Sequence, residues 1–162
     1  MKNIKSFKLF TESARPPLEI AKEIVSSNKK IDGELYTLIS TDINSVKYLI
    51  DNGLNVNLEN GLPLISASRS NNKPLVDLLL KNGAEIELNN YNVLKVLAKK
   101  GINEMLEYLI NKLIVKNDLI ANDCNFYDEL VKCCTESEEI SGITKQQTIK
   151  LIKSYQENYC NE

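Results

Sequence analysis

The sequence predicts an all-α fold, a solenoid of stacked helix pairs with a capping helix element at each end. Three observations carry that expectation. The segment Val46-Lys47-Tyr48-Leu49-Ile50-Asp51-Asn52-Gly53-Leu54-Asn55-Val56-Asn57 is matched thirty residues later by Val76-Asp77-Leu78-Leu79-Leu80-Lys81-Asn82-Gly83-Ala84-Glu85-Ile86-Glu87. Apolar residues within each copy fall at helical spacing. Asn52-Gly53 and Asn82-Gly83 stand where each apolar helix must stop, as glycine after a helix takes positive φ without a Cβ clash. The same offset carries Leu64, Ala67, Asn71 and Leu79 to Leu94, Leu97, Gly101 and Leu109, so a third unit runs through Asn103 to Ile110. A fixed period of this size marks a repeat array, in which each unit buries its apolar face against the next.

Taken in chain order, residues 1–15 form a basic leader, within a stretch to residue 31 that holds seven Lys/Arg against three Glu. Residues 16–31 form an N-terminal cap: Pro16-Pro17, then Leu18, Ile20, Ala21, Ile24 and Val25 on one helical face, ending in Ser26-Ser27-Asn28-Lys29-Lys30. The predicted helix lies near 17–28. Repeat 1 covers 32–57, repeat 2 covers 58–87 and a degenerate repeat 3 covers 88–112, with helix pairs near 34–51, 63–81 and 92–112. Pro63 sits in a first helical turn, where its missing N–H costs nothing. Asn71 and Gly101 occupy the turns within their pairs and tolerate left-handed backbone. Thr41, at the equivalent place, does not, so the first turn is expected to differ. Repeat 3 lacks the stop, with Lys112-Leu113-Ile114 where Asn82-Gly83-Ala84 stood. Residues 113–162 read as a degenerate C-terminal helix pair near 126–156, on the spacing of Phe126, Leu130, Val131 and Cys134 and of Ile149, Ile152 and Tyr155, joined by the acidic loop Glu136 to Gly142. In this register Leu49, Leu79 and Leu109 are equivalent buried positions.

The stretch Leu62-Pro63-Leu64-Ile65-Ser66-Ala67-Ser68 with Leu78-Leu79-Leu80-Lys81-Asn82-Gly83-Ala84-Glu85-Ile86 resembles the ankyrin repeat, with its T-P-L-H-x-A first helix and its glycine-stopped second. The resemblance covers residues 32–112. It departs where Leu62 and Ile65 replace the Thr and His that order the turn, and where a 30-residue offset falls short of about 33. The shortfall lies in Leu58 to Gly61, so the projecting finger is clipped. The resemblance implies a non-catalytic module that binds a partner protein through a concave first-helix face and finger loops. Its variable positions correspond to Tyr36, Ile39 and Ser40, to Ser66, Arg69 and Ser70, and to Val96, Lys99 and Lys100. Finger candidates are Glu59, Asn60, Asn89, Asn90 and Tyr91, with Asn55, Asn57 and Glu87 beside them. Tyr and Arg stand out because they often carry binding energy. The expected role is a viral, phage or bacterial host-interaction factor. Residues 1–14 resemble phage head-targeting propeptides, with Phe10-Thr11-Glu12 similar to their hydrophobic-x-Glu cleavage site. That implies an alternative: a structural or head-packaged phage protein with a cleavable N-terminal propeptide and a mature chain beginning at Ser13.

Composition argues against other classes. A net charge of -2 gives no overall field to attract nucleic acid. No apolar run approaches a membrane span or a signal-peptide core, so a soluble, cytoplasmic protein is expected, in the host cytoplasm or the virion if viral. There is no histidine, hence no commonest general base or metal ligand. Glu138-Glu139 and Asp118 with Asp123 read as solvated carboxylates, and no phosphate-cradling glycine motif occurs. No enzyme activity, no cofactor, no metal site and a monomeric state are expected. Cys124, Cys133, Cys134 and Cys160 read as buried free thiols, with vicinal Cys133 and Cys134 about 100° apart on one helix.

Overall fold

The computed structural model describes residues 16–27, 42–116 and 123–160. Among these there are eight helices and no strand. They are α1 (Pro17–Ser26), α2 (Ile43–Asp51), α3 (Leu58–Arg69), α4 (Lys73–Lys81), α5 (Leu88–Lys100), α6 (Asn103–Lys116), α7 (Cys124–Thr135) and α8 (Gly142–Tyr159). The all-α expectation holds. The expected leader and the first helix of repeat 1, with Tyr36, Ile39, Ser40 and Thr41, lie outside the described residues, as does Asp118.

The chain divides into two compact units, Met1–Ala67 with Pro74–Glu85, and Ser68–Lys73 with Ile86–Glu162. In the first, α1 packs on α2, and Ile20, Ala21 and Ile24 of α1 are buried. Asp42 caps α2, its carboxylate accepting from the Ser45 N–H at 2.9 Å, and the Ser45 hydroxyl holds the Asp42 carboxyl below its usual range. The core register repeats as the sequence requires: Val46 and Val76, and Leu49 and Leu79, are fully buried. So are Leu106 and Leu109, their counterparts in the second unit. Even the polar stops match, with Asn52 Nδ2 donating to the Tyr48 carbonyl and Asn82 Nδ2 to the Leu78 carbonyl, both at 2.7 Å.

Each clipped finger is closed in the same way. Glu59, Asn60 and Gly61 are all left-handed (φ 46°, 59° and 87°), and the Gly61 N–H reaches the Asn57 carbonyl at 3.3 Å. In the second unit Asn89, Asn90 and Tyr91 repeat this (φ 54°, 55° and 57°), with the Tyr91 N–H on the Glu87 carbonyl at 3.2 Å. The right-handed helix therefore begins after Gly61 and after Tyr91, where the sequence places it.

In the second unit α5 packs on α6 and α7, and α8 on α6 and α7. Asn71 (φ 52°) and Gly101 (φ 64°) make the left-handed helix stops. With no glycine at 113, α6 continues to Lys116. Asp123 caps α7 by accepting from the N–H groups of Asn125 and Phe126. The expectation of buried thiols holds for Cys134 alone. Cys133 turns off the buried side, as the 100° step requires, and Cys124 and Cys160 lie at the outer ends of α7 and α8, so these three are half-buried.

Candidate surface on the first helices

The candidate binding residues do not form one environment. In the first unit Glu59 and Asn60 are exposed on the left-handed turn and Ser66 is half-buried on α3. Asn57 is a structural residue. Its side chain accepts from the Glu85 N–H and donates to the Gly83 carbonyl, both at 3.1 Å, tying one repeat's finger to the backbone of the next.

In the second unit Arg69, Ser70 and Lys99 are exposed at the ends of α3 and α5, and Val96 is half-buried one turn earlier. Lys100 is already engaged. The α7–α8 connection lies over the end of α5, where Ser137 Oγ donates to the Lys99 carbonyl at 2.7 Å and Glu139 pairs with Lys100. Lys145 fixes that connection by donating to the carbonyls of Thr135 and Ser137, at 2.9 and 2.8 Å. The Glu139 carboxyl is held below its usual range, first by the Lys100 hydrogen bond and further by the charges of Arg69 and Lys99. Glu139 is thus a solvent-exposed carboxylate, as expected, but an ion-paired one with three cations around it.

The finger candidates are likewise divided. Asn89 is exposed, whereas Asn90 Nδ2 donates to Glu129 at 3.4 Å and Lys95 pairs with the same carboxylate at 2.7 Å. Tyr91 turns inward and sets its ring edge-on to Phe126, with centroids 4.8 Å apart. That burial, with Glu87 and Asp123 nearby, raises its phenol above the ordinary value.

Two contributors escape a 30-residue reading. Val93, Leu94 and Leu97 correspond in burial to Phe126, Tyr127 and Leu130, an offset of 33 (126 − 93, 127 − 94 and 130 − 97). The step lengthens in the last unit, so 99 maps to Lys132 and not to residue 129. Glu139 was hidden because the α7–α8 connection, Glu136 to Ser141, is longer than Gly101-Ile102 in the preceding pair. The buried aromatic pair Phe126-Tyr127, set against Val93-Leu94, was the available signal for the new offset.

No described helix is long and apolar enough to cross a membrane. A family model described as ankyrin repeats (3 copies) matches residues 16–90 and 34–123. No curated protein and no solved structure matches the chain.

Proposed function

Since the chain belongs to the ankyrin-repeat family, whose repeats are generally non-catalytic protein–protein interaction modules, we propose that it binds a partner protein through the first-helix face of its second unit. The candidate contact residues there are Arg69, Ser70, Val96 and Lys99, flanked by Asn89. The observation that carries this reading is the contrast within the repeat register. Positions facing the core recur as buried apolar residues, while Arg69 and Lys99 occupy equivalent exposed positions that packing does not require. Side chains with no structural duty, in line from one repeat to the next, are what a stacked array offers to a partner. Tyr91 and Lys100 contribute indirectly, the one through Phe126 and the other through Glu139.

Affinity capture on the immobilised chain, followed by mass spectrometry and titration of the captured protein, tests the reading. Arg69→Ala is expected to weaken the partner at least tenfold, about 1.4 kcal/mol, with the helical circular dichroism unchanged. Unaltered affinity in the combined Arg69→Ala, Val96→Ala, Lys99→Ala variant would overturn it and turn attention to the α7–α8 pair.

A further inference from the structure

The first helices of the second unit carry a row of cations that extends one repeat beyond the recognised register. Arg69 maps to Lys99 at an offset of 30 and Lys99 to Lys132 at the offset of 33 set by the buried residues of α5 and α7. All three are exposed. Among the described residues none of their head groups makes a hydrogen bond or an ion pair. Neighbouring lysines behave otherwise: Lys73 pairs with Glu104, Lys95 with Glu129, Lys100 with Glu139 and Lys116 with Glu87. The carboxylates nearest the row, Glu129 and Glu139, are therefore already taken by Lys95 and Lys100. A chain of net charge -2 thus keeps one aligned set of cations whose head groups form no direct ion pair among the described residues, although the charges of Arg69 and Lys99 reach Glu139 and that of Lys132 reaches Glu129.

We propose that the row Arg69, Lys99 and Lys132 recognises an extended acidic segment of the partner protein. The inference rests on the binding face proposed above and adds the chemistry of what binds there. Packed helices lie roughly 8–10 Å apart, and an extended chain advances about 3.3 Å per residue. Carboxylates at every third residue match that interval. Arg69 supplies a planar fork that holds a carboxylate through two parallel hydrogen bonds, and the lysines act as point charges. Nucleic acid fits the row less well. Single strands are held by bases stacked on aromatic rings as well as by charge, and Tyr91, the aromatic closest in sequence to Lys99, is turned onto Phe126.

The test uses the full chain and fluorescence anisotropy with a labelled peptide carrying glutamate at every third position, three in all, beside its glutamine analogue. The wild-type chain is expected to bind the acidic peptide, with affinity falling as salt rises and at least tenfold weaker binding of the analogue. Arg69→Ala, Lys99→Ala and Lys132→Ala combined should lose at least tenfold, while Lys150→Ala with Lys153→Ala on α8 should lose nothing. Three results overturn the proposal: equal binding of the analogue, unchanged binding by the triple variant, or no saturable binding at low salt. Tighter binding of a single-stranded oligonucleotide of equal charge also overturns it, in favour of a polynucleotide. Partner capture separates the two claims. Loss on Val96→Ala without loss in the charge triple leaves the face standing and removes its acidic ligand; loss in neither removes both.

Discussion

Replacing Tyr91 by glycine and by alanine separates what its backbone costs from what its ring contributes. Tyr91 holds φ 57° at the position where the preceding repeat has Gly61, at φ 87°. Left-handed backbone costs an L-residue about 1–2 kcal/mol. Alanine's smaller chain entropy in the unfolded state returns about 0.4–1 kcal/mol, which leaves glycine favoured by about 0.5–1 kcal/mol. Both variants lose the edge contact with Phe126, worth about 0.5–1.5 kcal/mol, together with the apolar area of a half-buried ring. Tyr91→Ala should therefore cost about 2–3 kcal/mol and Tyr91→Gly about 1–2 kcal/mol, measured by equilibrium urea denaturation. In a right-handed helix interior the order reverses, with glycine worse than alanine by about 1 kcal/mol. The sign of the difference is thus the readout. If the alanine variant is the more stable of the two, residue 91 is not left-handed and the account of the clipped turn fails. Repeating both substitutions in a Phe126→Ala background should remove the ring component and keep the glycine advantage, since that advantage resides in the backbone.

Leu79→Ala, at a fully buried position, should cost about 2–5 kcal/mol in the same assay; a loss below about 0.5 kcal/mol would break the repeat alignment. Asn57→Ala should cost about 0.5–1.5 kcal/mol, because the Gly83 carbonyl and Glu85 N–H then turn to water; no change would show the bracket to be idle. Gly101→Ala should destabilise more than Gly83→Ala, as a Cβ at 101 would stand 2.6 Å from Thr144 Cγ2 while one at 83 meets open space; equal losses would mean that only backbone conformation matters. Burial raises the Tyr127 phenol well above its ordinary 10.0, so above that pH the unfolded chain releases its proton first. Stability present below about pH 10 should then fall as pH rises, and Tyr127→Phe should flatten the fall in melts between pH 8 and 11, with Tyr91 and Tyr155, raised in the same sense, supplying what remains. Because the Tyr127 hydroxyl has no hydrogen-bond partner among the described residues, the same variant should be neutral or stabilising at pH 7; a loss above about 1 kcal/mol there would show the hydroxyl to be bonded.

The repeat and its core were legible because their signals are local. Gly53 and Gly83 stop helices wherever they stand, and Leu49, Leu79 and Leu109 declare one another by an equal step. Side-chain engagement was less legible because it depends on what another element brings. Lys100 reads as exposed until the α7–α8 connection sets Glu139 on it. Tyr91, in a finger position, reads as a binding aromatic until Phe126 arrives from residues 35 further on (126 − 91). Neither Asn89-Asn90-Tyr91 nor Glu59-Asn60-Gly61 announces three consecutive left-handed residues, since only the last of the second triplet is glycine. The register of Lys132 was illegible for a different reason: a step of 30 that becomes 33 moves the register by almost one helical turn.

The clipped turns also bear on where a partner's binding energy must come from. A full finger would offer polar tips to a partner, but here the polar groups around the turns largely have internal duties. Asn57 holds the next repeat's backbone, Asn90 leans on Glu129, and Glu87 takes Lys116 at 3.0 Å. A partner using those groups must first replace bonds that the free protein already has, and exchange of one hydrogen bond for another adds little net affinity. Arg69, Lys99 and Lys132 start without such bonds. A carboxylate that contacts them displaces water and competes only with the longer-range attraction of Glu139 and Glu129, with no direct bond to break. On the binding face proposed above, the first-helix row is therefore where new interactions would add most to affinity.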